Sequence, residues 1–397
     1  PVALTLGAWT VGLALPQVLV RFGIHDYGTR FLDAHAVLAA LDFMRVGGDP
    51  IAGNPLDPLQ RPHVYSDWWL GLRFLGVGRA QGDWVGAIGL LALLVTAIVT
   101  MRPRRRGEAL WLGFLLVSPV VVLVVTRANN DLVIFVLLAA VAMGAAAGGW
   151  RQWAAVAGLA VATGLKYYPV VAALPFLWAR PLRRMPGVAS VAAVAALCSL
   201  ALVWSQLDRA RFLIGSGIHT MGAPLLWRDL GWTDGQSALP GMGLLFLLGC
   251  GFAGARITTG LAVAGDVRDR LLAAMGAAVI LACFVAGMNY AYRWIFALWP
   301  AFWLWRQAGD DSLPRGKRRI AALGCGLMGL AFWQDGIFCV AINALPPRSA
   351  AWVDQAQLIY RLWTQPLQWL LMGLLAGWLL EGVAAIAGEW GRRRKET

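Results

Sequence analysis

The sequence is poor in charged residues. Asp, Glu, Lys and Arg make up 14% of its 397 residues, whereas a soluble globular domain has roughly 25%. Hydrophobic residues make up 59%, and apolar runs of about 18 or more residues recur along the whole chain, as in membrane-spanning helices. These solid runs exclude a membrane β-barrel, which shows short alternating segments. The sequence predicts an all-α polytopic membrane protein, with residues 1–397 forming one integral membrane domain.

Residues that bind metals or act as nucleophiles are also scarce. The chain has five cysteines, all in apolar stretches and without a CxxC pair, so we interpret them as core or lipid-facing residues. It has four histidines, none paired at the helical spacing of a zinc site. The motifs GxxxxGK[ST], HExxH and GxSxG are absent from the sequence. We therefore expect neither a metal nor another cofactor.

The net charge of +13 comes from a few short clusters rather than from an evenly basic surface. The clusters lie at 102–106, 179–184, 315–319 and 391–395, between or after apolar runs. This is the pattern of loops on the cytoplasmic side of a membrane, so we reject nucleic acid as a partner and expect anionic lipid headgroups instead. Lys166 is set apart, because the other lysines, Lys317 and Lys395, lie in these clusters.

The apolar runs predict about twelve membrane-spanning or re-entrant helices. They lie near 2–22, 84–101, 109–126, 131–148, 152–165, 169–179, 187–205, 238–255, 270–288, 293–306, 319–341 and 366–388. The segment 152–179 is divided in two because Pro169 in "GLKYYP" interrupts a helix. An even number of crossings places both termini and all basic loops in the cytoplasm. We expect a retained first span, not a cleaved signal, and location in the bacterial inner membrane.

The first outer loop, 23–83, is the longest segment outside the predicted spans. Residues 34–44 have the pattern of an amphipathic helix, and residues 64–76, with Trp68 and Trp69, that of a second helix lying in the membrane interface. Residues 47–62 are rich in turn-forming residues. We expect the two helices to lie over the outer face of the membrane domain.

Four groups of polar residues stand near this outer face. They are Asp33 with His35; Asn129, Asn130 and Asp131 after Arg127; Lys166 with Tyr167 before Pro169; and Tyr290, Tyr292 and Arg293. Each has an ordinary structural explanation: a helix cap for Asp33, a polar turn for 127–131, and interfacial anchors for the other two. Polar groups near a membrane interior also mark functional cavities, and four such groups on one face favour a site for an anionic substrate. Asp335, within the run 319–341, is either part of that site or a group of a pore.

Several of these segments resemble glycosyltransferase family 87, whose members use polyprenyl-phosphate sugars and include mycobacterial phosphatidylinositol mannoside mannosyltransferases. The matching segments are "LDAHAVLAALDFMRVGGDP", "RANNDLVIFVLLA", "GLKYYPVVAALPFLW" and "NYAYRWIFALWP". The resemblance covers patches of residues 1–300, and Val37 and Leu38 stand where the family often has an aromatic residue. It implies a GT-C-like fold with an active site at the extracytoplasmic membrane boundary.

The resemblance also implies a reaction. A monosaccharide, mannose or another hexose or pentose, would pass with inversion from a polyprenyl-phosphate donor to a hydroxyl of a lipid or glycan, with Asp33 as general base. Asp26, seven residues earlier, is a rival for this role. Lys166 and Arg293 would stabilise the leaving phosphate, and His35, Asn129, Asn130, Asp131, Tyr167, Tyr290 and Tyr292 would bind substrate. We expect a monomer and expect Lys166→Ala to leave folding nearly intact. The alternatives are a transporter or flippase for an anionic lipid-linked solute and a lipid-linked glycan polymerase.

Overall fold

The computed structural model describes residues 2–25, 28–178, 186–206, 209, 219–232, 234–254, 265–287, 289–344 and 350–396. Asp26, the rival base, lies outside the described residues. Apart from one two-residue antiparallel ladder, β1 (Thr220–Met221) with β2 (Asn289–Tyr290), the regular structure of the described part is helical. The described residues therefore confirm the prediction of an all-α membrane protein.

The α-helices of the described residues follow one another along the chain. They are α1 (Val2–Ala14), α2 (Pro16–Val20), α3 (Leu32–Arg45), α4 (Gly82–Met101), α5 (Arg106–Leu116), α6 (Pro119–Arg127), α7 (Asp131–Ala147), α8 (Trp150–Leu165), α9 (Pro186–Val203), α10 (Ala223–Asp229), α11 (Asp234–Gly254), α12 (Val267–Ala286), α13 (Leu298–Ala308), α14 (Arg315–Asn343) and α15 (Ala350–Glu396). Five 3₁₀ helices within the same described residues complete the order: Asp67–Leu75, Arg79–Gln81, Tyr168–Trp178, Trp204–Gln206 and Ala291–Ala297.

The count of about twelve spans is wrong. Within the described residues, five helical segments are long and apolar enough to cross a membrane, or six if the bent pair α5–α6 is one span. The other predicted spans are shorter or broken, because prolines interrupt several apolar runs. Pro16 separates α1 from α2, and α5 and α6 meet at 58° just before Pro119. A continuous apolar run therefore does not always correspond to one straight crossing in this chain.

The first outer loop contains both predicted helices. The first is α3, and the second is the 3₁₀ helix Asp67–Leu75, capped by Ser66, whose side chain accepts a hydrogen bond from the Trp68 N–H. Asp33 is not the cap of α3, since it lies in the first turn and Phe31 occupies the N-cap position. The capping explanation for Asp33 is wrong, and its carboxylate is directed to other partners.

Helix α12 runs through the core of the described part and is largely buried. Gly276 permits its close packing against the segment that follows β2, because a Cβ there would lie 2.2 Å from the backbone oxygen of Phe296. The 3₁₀ helix Ala291–Ala297 is thereby held against α12, with Arg293 inside the protein. All five cysteines are free, and they lie in the core or on the outer surface of the helices, as predicted.

Two of the basic segments, 102–106 and 315–319, lie toward the same end of the structure. Arg306 binds Asp269 and Glu108 with N···O distances of 2.5 and 3.2 Å, and also donates to the carbonyl oxygens of Met101 and Arg102. From this end α12 extends over 20 residues, or about 30 Å, before the chain reaches β2. That length matches the hydrocarbon thickness of a bilayer. The two ends of α12 therefore lie one membrane thickness apart.

Candidate functional site

A cavity of about 200 Å³ lies at the β2 end of α12. Its wall combines the outer loop, the ends of α6 and α8, and the segment after β2. The residues lining it are Asp33, Ala36, Leu59, Arg61, Pro62, His63, Val64, Tyr65, Ser66, Arg127, Leu165, Lys166, Tyr167, Val203, Gln206, Tyr290, Tyr292 and Arg293. Four cationic side chains and one carboxylate share this wall, so the cavity favours an anionic ligand.

Asp33 is the carboxylate in the wall and is only 1% exposed. The Arg127 guanidinium binds it in a bidentate manner: Nε donates to Oδ2 and Nη2 to Oδ1, each at 2.8 Å. The Asn129 amide donates to Oδ2 at 2.7 Å, and Arg61 Nη1 lies 3.4 Å from Oδ1. A carboxylate has about four lone-pair directions, and these contacts take up all of them.

These partners keep Asp33 ionised. Burial by itself would raise the pKa of the carboxyl, but the charge of Arg127 and the hydrogen bonds from Arg127 and Asn129 outweigh it. The pKa of Asp33 therefore lies below its usual value. Asp33 is a negative charge fixed between two arginines at the edge of the cavity.

Arg61 comes from the turn-rich part of the outer loop. It is held there by Asp57, whose carboxylate accepts from its Nε and Nη2 at 3.0 Å. Asp57 also accepts from the backbone N–H groups of Leu59 and Arg61, which fixes the turn. The contacts of Arg61 to Asp57 are shorter than its contact to Asp33. Arg61 is therefore held mainly by Asp57 of its own loop and binds Asp33 more weakly.

Asn129 connects Asp33 to a second buried ion pair. Its Oδ1 accepts from Lys166 Nζ at 3.2 Å, and Lys166 also binds Asp131. Asp131 is fully buried, accepts from the Tyr168 hydroxyl at 2.6 Å and has Arg293 Nε at 3.9 Å. Lys166 thus lines the cavity, and its ammonium group is bound to Asn129 and Asp131 behind the wall.

Aromatic rings form part of the cavity wall beside the cations. Tyr290 and Tyr292 are stacked, with centroids 5.4 Å apart, and the Arg127 guanidinium lies 5.7 Å from the Tyr290 ring centre. Tyr65, from the outer loop, has its ring centre 5.8 Å from Lys166 Nζ. Flat rings beside cations and carboxylates are suited to packing against sugar rings while charged groups bind phosphate.

Hydrogen bonds to the last carbonyl groups of α8 hold the outer loop at the cavity. The last carbonyl groups of a helix lack intrahelical partners, and here the outer loop supplies them. Ser66 Oγ donates to the Gly164 oxygen at 2.6 Å, and Trp69 Nε1 donates to the Leu165 oxygen at 3.1 Å. Gly164 permits this approach, since a Cβ there would lie 2.4 Å from the Trp68 ring. Tyr65 is thereby placed beside Lys166.

Backbone strain is concentrated around these side chains. Among the described residues, the non-glycine positions with positive φ are Phe31, Gln60, Arg102 and Ala128. Phe31 lies two residues before Asp33, Gln60 directly precedes Arg61, and Ala128 stands between Arg127 and Asn129. A left-handed non-glycine residue costs about 1–2 kcal/mol, and such strain clusters at functional sites. The segment of Asp33 itself and the two segments that bring Arg61, Arg127 and Asn129 to it each contain one such residue.

No protein-family model, no curated protein and no solved structure matches the chain. The candidate site therefore rests on its geometry and chemistry.

The structure brings most of the predicted site residues together. Six of them line the cavity: Asp33, Lys166, Tyr167, Tyr290, Tyr292 and Arg293. Asn129 and Asp131 lie behind it as hydrogen-bonding partners. His35 lies outside this wall, with its Nε2 4.0 Å from Asp83. Asn130 also lies outside the wall, and its backbone oxygen accepts from the Val133 N–H at the start of α7.

Arg127 and Arg61 are the principal residues that the sequence reasoning missed. The sequence pattern predicts no more than a polar turn at Arg127, yet its side chain makes two hydrogen bonds to Asp33. The signal for it was its position just before the Asn129–Asp131 group, at the end of an apolar helix. For Arg61 no comparable local signal exists, because a loop arginine is common on any surface.

Asp335 belongs to a separate buried cluster. Its Oδ2 lies 2.8 Å from His219 Nδ1, and its Oδ1 accepts from the Tyr360 hydroxyl. His219 Nε2 lies 2.6 Å from the Gly23 oxygen. Both nitrogens of His219 thus face oxygens that only accept, so both contacts are hydrogen bonds when the ring is the imidazolium. Burial lowers the pKa of His219, but Asp335 and the Gly23 carbonyl outweigh it and raise that pKa above 6.5.

We expect the stability of the protein to depend on His219 and on pH. Because the folded-state pKa of His219 is raised, its stabilising contribution is fully present below the unfolded-state pKa and is lost as pH rises through the folded-state pKa. Thermal unfolding of wild type and His219→Gln between about pH 5.5 and 8.5 measures this. The wild type should lose more stability across the range, and equal pH profiles would contradict the ion pair.

Proposed function

We propose that the chain is a membrane glycosyltransferase that moves a monosaccharide from a polyprenyl-phosphate donor to a hydroxyl group of a lipid or glycan, with inversion. The single observation that carries this proposal is the position of Asp33, a buried ionised carboxylate in the wall of a cavity that also holds four cations and stacked tyrosines. The proposal includes a GT-C-like fold. It also places the protein in a bacterial inner membrane, with the basic end cytoplasmic and the cavity extracytoplasmic.

The cations suit the leaving group of this reaction. A polyprenyl phosphate leaves as an anion and needs no proton from an acid, but it does need positive charge where its oxygens develop negative charge. Lys166 and Arg293 line the cavity beside Tyr65 and Tyr292. Fixed charges in a site shielded from water act more strongly than exposed ones. We assign the donor phosphate to Lys166 and Arg293, with Tyr290 and Tyr292 beside the sugar.

The geometry of Asp33 constrains how it can act as a base. Its lone pairs are taken up by Arg127, Asn129 and Arg61, so an acceptor hydroxyl must displace one of them. Arg61 has the longest contact, 3.4 Å, and is the partner that can move toward a donor phosphate. In this proposal the donor draws Arg61 from Oδ1, and the acceptor hydroxyl takes its place and gives up its proton. The low pKa keeps Asp33 ionised for that step.

A second cavity provides space for the acceptor. It has a volume of about 250 Å³, and Arg127 lines both cavities. Thr29, Arg30 and Thr126 contribute polar groups to its wall. Two cavities that share the arginine bound to Asp33 support a reaction between two separate substrates, and we assign the body of the acceptor to the second one, with its reacting hydroxyl extending past Arg127 to Asp33 in the first.

A transfer assay tests the proposal. Purified protein in nanodiscs would receive radiolabelled polyprenyl-phosphate monosaccharides, one sugar at a time, with a lipid extract as the source of acceptors. We expect one sugar to be transferred to an extractable product, and mass spectrometry of that product identifies the acceptor. A product that grows by repeated additions would instead indicate a polymerase.

A matched transport assay distinguishes the proposed transferase from its main alternative, a flippase. The same donors would be placed in one leaflet of sealed vesicles containing the protein, and their appearance in the other leaflet would be followed with a membrane-impermeant reagent. Translocation without transfer across the whole donor panel would overturn the proposal in favour of a flippase.

A further inference from the structure

A second candidate site lies on an exposed apolar face of α14 and shares no lining residue with the cavity at Asp33. It is an apolar groove of about 740 Å³ between α5, α13 and α14, which we call the aromatic groove. Its walls are Trp111, Phe114, Trp305, Ala308, Ala322, Cys325, Gly326, Gly329, Leu330, Trp333 and Ile337. The proposed glycosyltransferase reaction gives this groove no role.

One wall of the aromatic groove is a continuous row of stacked rings. The ring centroids of Trp305 and Trp111 are 5.1 Å apart, those of Trp111 and Phe114 5.5 Å, and those of Phe114 and Trp333 5.2 Å. The planes of successive rings differ by 14°, 20° and 22°. In such a stack the ring faces are covered by neighbouring rings, so the row presents ring edges with their C–H groups, an apolar surface along which a hydrocarbon chain can lie.

Two of the three indole N–H groups of this wall have partners within the protein. Trp111 Nε1 donates to the Ala301 oxygen at 3.3 Å, and Trp333 Nε1 donates to the Phe114 oxygen at 3.2 Å. These two rings therefore present only ring carbons to a ligand. A polar headgroup or a sugar would lose its hydration there without compensation, so the groove suits hydrocarbon.

The floor is kept open by small residues of α14. A Cβ at Gly329 would lie 3.0 Å from the Trp111 ring, whereas a Cβ at Gly326 would meet no atom of the described residues within 4 Å. The residues from Ala322 to Ile337 span roughly 22 Å along the helix. One leaflet contributes about 15 Å of hydrocarbon, so the groove can take up a whole acyl chain.

The mouth of the aromatic groove lies at the basic end. Gly107 lies against Trp305, since a Cβ there would come within 3.5 Å of that ring, and Arg105 and Arg106 directly precede it, both exposed. Arg319 is one helical turn before Ala322 and is also exposed. The segments 104–106 and 315–319 together contain seven Arg and Lys residues, whereas the loop between α13 and α14 contributes two acidic residues, Asp310 and Asp311. The mouth therefore attracts a negatively charged headgroup.

We infer that the aromatic groove binds one acyl chain of an anionic phospholipid, whose phosphate lies at Arg105, Arg106 and Arg319. The combination decides the class of ligand: a hydrocarbon wall alone would accept any lipid, but the arginines at its mouth select for charge. A second copy of the chain fits less well, because it would bring its own basic segments against these arginines. The inference is independent of the proposed transfer reaction.

Photocrosslinking of lipids tests the inference. The full-length protein would be placed in phosphatidylcholine nanodiscs with a trace of phosphatidylglycerol carrying a diazirine on one acyl chain, and crosslinked peptides would be mapped by mass spectrometry. We expect labelling concentrated on peptides with Trp111, Phe114 and residues 322–333. In Gly326→Leu, the added side chain enters the groove without meeting described protein atoms, and labelling there should fall at least fivefold.

Matched controls make the result decisive. Gly243 in α11 is exposed and also has open space at its Cβ, so Gly243→Leu should leave the labelling of the groove unchanged. A phosphatidylcholine probe with the same chain should label the groove less, and Arg105→Gln with Arg106→Gln should remove that difference. Labelling spread evenly over the helices, labelling insensitive to Gly326→Leu, equal labelling by both headgroups, or crosslinks between two protein copies through the groove would each overturn the inference.

Discussion

Asp33→Asn is expected to lower the rate of sugar transfer about 10²–10⁴-fold, the range for loss of a general base. Asparagine keeps the shape of the side chain but cannot accept the acceptor's proton. Donor binding depends on Lys166 and Arg293 in our proposal, with Arg61 drawn toward the phosphate, so a variant that releases Arg61 from Asp33 should bind donor no more weakly than the wild type. The measurements are transfer rates at saturating donor and donor affinity from competition binding, on wild type and variant in nanodiscs.

The same substitution also affects folding, and this effect must be separated from catalysis. Asp33→Asn would leave Arg127 and Arg61 without the carboxylate that they now bind, and removing one member of a buried ion pair typically costs about 3–5 kcal/mol. Asp33→Asn combined with Arg127→Gln removes both members and should recover much of the thermal stability. It should not recover transfer, because the base is still missing.

A carboxylate elsewhere on the same helix provides the control. Asp42 is bound to Arg45 at 2.7 Å near the surface of α3 and lies outside the cavity wall. Asp42→Asn should leave the transfer rate within about a factor of two, since surface ion pairs contribute little. Full transfer by Asp33→Asn, or an equal loss in both variants, would reject Asp33 as the base.

The helices were predictable because the bilayer imposes them. A backbone inside hydrocarbon must satisfy its own hydrogen bonds, and apolar runs such as 84–101 and 270–288 correspond to α4 and α12. The break at Lys166 was also predictable, because Pro169 limits the conformations before it, and α8 indeed ends at Leu165. The number of crossings was not, since run length alone does not reveal a bend such as that between α5 and α6.

The candidate site was predictable in its residue types and not in its pairing. Polar residues next to apolar helices are expensive to bury, which drew attention to Asp33, Asp131 and Lys166. Which charge binds which depends on contacts between residues far apart in the chain, such as Asp33 with Arg127. The outer loop supplies Arg61 through a turn held by its own Asp57, and no local periodicity encodes that approach.

The structure also changes the expected effect of replacing Lys166. From the sequence, loss of this lysine was expected to leave folding nearly intact. Lys166 is instead 9% exposed and bound to Asp131, which is 0% exposed. Lys166→Met replaces the ammonium group by an uncharged side chain of similar length. It would leave the Asp131 carboxylate with the Tyr168 hydroxyl and a more distant Arg293. We expect a loss of about 3–5 kcal/mol in the free energy of unfolding.

Removing the second charge distinguishes a structural lysine from one that binds phosphate. Lys166→Met with Asp131→Asn takes away both members of the pair, and neutral replacements of a buried ion pair are often tolerated, so thermal stability should return toward that of the wild type. Lys317→Met is the control for the loss of a lysine, because Lys317 lies in α14, in a basic segment away from the cavity. If the double variant regains stability but binds donor at least tenfold more weakly, Lys166 holds the phosphate. If it regains both stability and donor affinity, the ion pair serves only to place Asn129 against Asp33, and the phosphate must be assigned to Arg293 and Arg61.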